Sequence, residues 1–187
     1  MKYEEYRKIA KTGDVILFSG WSPASLLIRL ITWSLWSHIG SVARITTDVF
    51  CWESTKMTGK DGVQISLLSN RIATYKGRVG IRRLHTRRDN DFYWVARNLR
   101  HILMGVKYER KIEELIGSAL PYKNKWNLTT IFCSELKAFL FMCLGILKSK
   151  DPPNEYKPGD FAPGGRVDKE LVTGTYLGPV IRIEKSV

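Results

Sequence analysis

The chain has 187 residues and a formal charge of +12, set by 30 Lys+Arg against 18 Asp+Glu, with 44% of residues hydrophobic and 26% charged. That length suits one domain with its own core, and that balance excludes a mainly disordered or collagen-like chain. Three cysteines with no C-x-x-C pair exclude a disulfide framework and a cysteine-based zinc site. The opening MKYEEYRKIA has no apolar h-region, so no secretory signal is expected and a reducing cytoplasm fits.

After a turn at Gly13-Asp14, residues 15–18 read as a short buried strand. The longest apolar stretch, ASLLIRLITWSLW at 24–36, contains Arg29 and falls short of the roughly 20 residues a spanning helix needs. It reads first as a helix packed on the core; its Leu and Trp content also suits a membrane interface. Residues 38–43 and 48–53 read as two strands joined by a four-residue loop at 44–47, followed by strands at 62–67 and 78–84. The spacing of Phe92, Val95, Leu99, Ile102 and Leu103 predicts an amphipathic helix over 91–104, ended by Gly105. A short helix is expected at 112–120 and an apolar central helix at 134–147, stopped by Asp151-Pro152-Pro153. Segment 151–166, rich in Pro and Gly, reads as a loop, and 180–183 as a last strand. Strands first and helices after predict an α+β domain with an antiparallel sheet, a single unit over 1–187 with its motif-bearing core at 12–147.

The charge is concentrated. Residues 71–111 hold twelve Lys+Arg and three Asp+Glu, including Arg82, Arg83, Arg87 and Arg88. As one surface, such a segment attracts phosphate, from nucleic acid or an anionic membrane; the plainer reading is a solvated face. No helix-turn-helix, zinc-finger or RNA-recognition pattern occurs, so sequence-specific DNA binding has no support.

Cys133 stands at the start of the central helix, where the helix dipole and free N–H groups favour the nucleophilic thiolate. The same N–H groups, that of Cys133 among them, suit an oxyanion. Cys51 and Cys143 read as structural cysteines. A thiolate nucleophile needs an imidazole, and of the three histidines His38, opening a strand before Ile39-Gly40, is the best base. With a loop at 44–47, Ala43 opposes Asp48 and the pairs step outward to His38 opposite Glu53, Cβ atoms about 5 Å apart. Glu53 then orients the imidazole.

GDVILF at 13–18, SHIG at 37–40, WES at 52–54, GVKYE at 105–109 and FCSEL at 132–136 occur in that order. Over residues 12–147 the chain resembles the circularly permuted NlpC-type papain-like thiol hydrolases and acyltransferases. That group holds bacterial YiiX-like proteins, a poxviral branch and, more distantly, lecithin:retinol acyltransferase-like enzymes. The histidine precedes the cysteine, as the permutation requires. The resemblance implies Cys133 as nucleophile, His38 as base, Glu53 as orienting residue, and Tyr108 as an aromatic residue at the substrate. It implies no metal or cofactor, and an amide, ester or thioester substrate passing through an acyl-enzyme. Phe50 stands where the acyltransferase branch has a second histidine, and Glu53 fits the bacterial and poxviral branches better. A poxviral relationship implies host cytoplasm or virion. The alternative is a non-catalytic basic protein with a vestigial site, binding nucleic acid or an anionic membrane through 71–111.

Overall fold

Every residue of β1 (Val15–Gly20) is buried, because neighbours pair with it on both edges and helices cover both faces. In the computed structural model, which describes residues 1–56, 61–107 and 131–185, β1 lies inside a six-stranded antiparallel sheet. The other strands are β2 (His38–Ile45), β3 (Asp48–Thr55), β4 (Gly62–Leu67), β5 (Gly77–His85) and β6 (Tyr176–Ile183), in spatial order β4-β3-β2-β1-β5-β6. The helices are α1 (Tyr3–Ile9), α2 (Pro23–Ile31), α3 (Leu68–Thr74), α4 (Asn90–Leu103), α5 (Cys133–Cys143) and α6 (Arg166–Glu170). The architecture is α+β.

Alternation along β1 divides the core in two. Ile16 and Phe18 face Tyr3 and Tyr6 of α1 and Leu68 and Ile72 of α3. Val15 and Leu17 face the other way, into a cluster holding Phe92 and Ala96 of α4 and Leu136 and Leu140 of α5. α4 begins where Asp89 caps it, its carboxylate accepting the Phe92 N–H at 3.1 Å. α5 ends four residues before the expected 147: Gly145, at φ 67°, lets the Ile146 and Gly145 N–H groups turn back onto Phe141 and Met142.

Several expectations need correction. The hairpin between β2 and β3 turns through two residues, Thr46 and Thr47, not four, with Thr46 at φ 52°. Segment 24–36 packs on the core only at its end, through Trp36; no residue of α2 is buried. The loop at 151–166 contains 3₁₀ turns at Pro153–Glu155 and Pro158–Phe161 and leads into α6. The last strand starts at Tyr176, its Pro179 tolerated because β6 is an edge. Cys143 is exposed at the end of α5, whereas Cys51 is buried in β3. The helix expected at 112–120 lies outside the described residues.

The basic segment is not one surface. Arg82 is buried, donating to the carbonyls of Gly178, Phe161 and Leu177 and pairing with Asp168. Arg88 bonds the carbonyls of Thr12 and Leu84 and pairs with Asp14, and Arg71 is buried under the sheet. Arg87, by contrast, leaves 88% of its side chain in solvent. Arg82→Ala is therefore expected to cost about 3–5 kcal/mol in urea unfolding, because it strands three carbonyls and a carboxylate. Arg87→Ala should stay within about 0.5 kcal/mol of the parent.

Candidate active site

Two anchors hold the start of α5. One turn past Cys133, the buried Lys137 donates to the Gly13 carbonyl and to Ser41 Oγ, each at 2.8 Å. Burial pulls its ammonium well below the ordinary lysine range, against the attraction of Asp14. Just before the helix, Ser54 Oγ donates to the Ile131 carbonyl at 2.6 Å. Cys133 is thereby fixed as the first helical residue, where backbone N–H groups are left without helical partners.

His38 is the first residue of β2, at the rim of the sheet where its two faces meet. It pairs with Phe18 in the register and its ring lies 5.3 Å from the Phe18 ring, on the α1/α3 face. The Cys133 side chain belongs to the opposite core cluster, on the α4/α5 face. At the rim the two meet, close enough for each to shift the other's proton equilibrium. His38 Nε2 is held at 2.5 Å by Glu53 Oε2, which leaves Nδ1 for the sulfur.

Glu53 reaches His38 by a register other than the one expected. Ile45 opposes Asp48 and Ser41 opposes Trp52, so one step further sets Gly40, not His38, opposite Glu53. A slip of two residues preserves the face, and His38 becomes the diagonal neighbour of Glu53. Gly40 is what keeps this arrangement open: a Cβ there would lie 2.8 Å from Cys51 Sγ and 3.5 Å from Glu53 Cβ.

Arg71, on α3, is the residue that sequence reasoning missed. Its Nε donates to Glu53 Oε1 at 2.5 Å and its Nη2 to Oε2 at 3.0 Å, and its guanidinium lies 4.6 Å from the centre of the Phe18 ring. In the sequence it is one charge in a basic run, and the local hint is the apolar spacing of Leu68 and Ile72 around it. Beside the site, Ser37 Oγ accepts the Gly20 N–H and donates to the Phe18 carbonyl. Tyr108 lies outside the described residues.

The charges follow from this packing. Burial pushes the Glu53 carboxyl up, but His38 and Arg71 outweigh it and hold it at about 2. Burial pulls His38 down, and the Cys133 thiolate and Glu53 together raise it to about 9. Burial pushes Cys133 up, but His38 and the backbone N–H groups of Ile39 and Ser134 bring it below the ordinary thiol range. The site can therefore store a thiolate–imidazolium pair. Burial pushes both other thiols up, Cys51 far above the ordinary value and Cys143 less so.

No family model matches the chain, and no curated protein matches it. Its fold is shared with the crystal structure of the metalloprotein YiiX from Escherichia coli O157:H7, at a TM-score of 0.57 and 18% identity over 94% of this chain and 97% of that one. Among the described residues no three His, Cys, Asp or Glu side chains form a group that would hold a metal ion. Both Glu53 oxygens and His38 Nε2 are taken up by protein partners, so the residues here do not fit a metal.

Two outcomes follow. Glu53→Gln should cost stability as well as orientation, about 3–5 kcal/mol, because it leaves the Arg71 charge buried and unpaired. Adding Arg71→Met should recover much of that loss in denaturant titrations. Glu53 stabilises the fold above about pH 4.5, and that contribution is lost as pH falls toward 2. His38 stabilises it fully below about pH 6.5, and that contribution is lost as pH rises through 9. Cys133 gives up a proton over the range in which His38 keeps one, so these two offset each other. Melting temperatures of the parent should fall from pH 4.5 toward 2 more steeply than those of the Glu53→Gln, Arg71→Met double variant.

Proposed function

We propose that the protein is a cysteine-dependent hydrolase or acyltransferase of the circularly permuted, NlpC-type papain-like kind, working through an acyl-enzyme on Cys133. The observation that carries this reading is Cys133 at a helix N-terminus beside His38, whose ring is held by a carboxylate that Arg71 keeps ionised. Thiol chemistry needs a sulfur deprotonated at neutral pH, a base able to return the proton, and a fixed imidazole orientation.

In the first half-reaction the Cys133 thiolate attacks the carbonyl carbon of an amide, ester or thioester. The negative charge passes to the carbonyl oxygen, facing the N–H groups at the start of α5. As the tetrahedral species collapses, His38 gives its Nδ1 proton to the leaving nitrogen, oxygen or sulfur, and the acyl group stays on the sulfur. In the second half-reaction water or another acceptor loses its proton to His38 as it attacks the thioester, and the thiolate leaves. Glu53 holds the ring by Nε2 throughout and stabilises its positive form.

Alkylation with iodoacetamide below the ordinary thiol titration range tests this. Cys133 should react well ahead of the exposed Cys143 and the buried Cys51, and His38→Ala should remove that preference. With an activated ester, intact-mass spectrometry should find the acyl group on Cys133, and Cys133→Ala should lower turnover by roughly four orders of magnitude. Cys133 reacting no faster than Cys143, with no acyl adduct, would overturn the proposal.

A further inference from the structure

Helix α2 obeys the local rules of a good helix and half-buries Ile28 and Ile31, yet it leaves its leucines uncovered. Ser22 caps it, accepting the Ser25 N–H, and Pro23 occupies the first turn. Leu26, Leu27 and Leu30 share one side and point away from the protein, Leu30 with 68% of its surface exposed. The helix ends in a Schellman turn, with the Ser34 N–H on the Arg29 carbonyl and the Trp33 N–H on that of Leu30. The residue in the left-handed position of such a turn is usually glycine. Here it is Trp33, at φ 49° and 93% exposed. Neither backbone preference nor packing within the fold accounts for a tryptophan at that position.

The charges around this face are mostly basic, with Asp160 lining the groove beside Trp33 together with Lys157. No Asp or Glu occurs between Asp14 and Asp48. The Trp21 ring, half exposed, has the Arg29 and Arg78 guanidiniums 5.9 and 5.2 Å from its centre, and the Trp21 backbone N–H donates to the Lys76 carbonyl. Leucines between two tryptophans, fringed by Arg and Lys, are the chemistry of a helix lying in a lipid headgroup layer. A second copy suits the face poorly. Nine helical residues span about 14 Å, little of the roughly 800 Å² per partner that a stable interface buries, and two chains of charge +12 repel.

We propose that the outer face of α2, with Trp21 and Trp33, is a docking surface for an anionic phospholipid bilayer. Leu30 and Trp33 enter the acyl boundary, and Arg29, Arg78 and Lys76 meet the phosphates. The thiol chemistry is not a premise of this proposal.

The test is co-sedimentation of the full chain with vesicles of phosphatidylcholine alone and of equal parts phosphatidylcholine and phosphatidylserine. The parent should bind the mixed vesicles more tightly, and added salt should weaken the difference. Trp33→Gly and Leu30→Ser should each lower the partition coefficient about tenfold or more. Trp33→Gly should melt no lower than the parent, because glycine suits the turn, so its lost binding cannot be assigned to unfolding. Cys133→Ala should bind as the parent does, and Trp33→Gly should keep the fast alkylation of Cys133; each proposal can then fail without the other. Absence of binding to the mixed vesicles, or binding that both substitutions leave unchanged, overturns the proposal. Self-association of the lipid-free parent that Trp33→Gly abolishes also overturns it, assigning the face to a second copy.

Discussion

The carboxylate of Glu53, 2% exposed, is shared between His38 and Arg71, and the site depends on that one buried charge. An isolated carboxylate so deep would take up a proton and cease to orient anything. Two cationic partners on its two oxygens keep it ionised, and the bidentate fork of Arg71 also fixes its plane. Arg71 in turn is stacked between Phe18 and Tyr75. The α1/α3 side of the sheet therefore does more than complete a core: it houses the group that sets the electrostatics of the Cys133–His38 pair at the rim.

The opposite side supplies the sulfur, and its precision comes from polar anchors set in apolar packing. Lys137 and Ser54 tie α5 to the β1–β2 and β3 backbones within a turn of Cys133. Each anchor satisfies a buried carbonyl that the packing would otherwise leave unpaired. His38 reaches the thiol only because its strand begins at the rim; further along β2, the sheet itself would separate a side chain on its face from the helix.

Charge in this protein has two separate uses. Arg71, Arg82 and Arg88 work inward, satisfying carboxylates and backbone carbonyls, while Arg78, Arg87 and Arg97 remain outside. The apolar residues divide likewise: most build the two core clusters, but Leu26, Leu27 and Leu30 of α2 and Trp94 and Ile102 of α4 stay in solvent. Composition alone, a basic chain with an ordinary hydrophobic fraction, hides both divisions.

What the sequence by itself determined is local. Alternation located the strands at 38–43, 48–53, 62–67 and 78–84, and helical spacing located α4 and α5, because side-chain period records which face is buried. Period also put His38 and Glu53 on one face, and that parity survived a register slip of two. The turn escaped because Thr46-Thr47 carries none of the Asn or Gly that usually marks a two-residue hairpin. Gly178-Pro179 masked the first half of β6, and seven residues made α3 too short to announce itself. Only the tertiary structure decided which arginines turn inward, since a guanidinium looks the same in sequence whether it meets water or Glu53. It alone decided that the leucines of α2 lie uncovered. An apolar stripe records that a face avoids water, while what covers that face depends on residues distant in the chain.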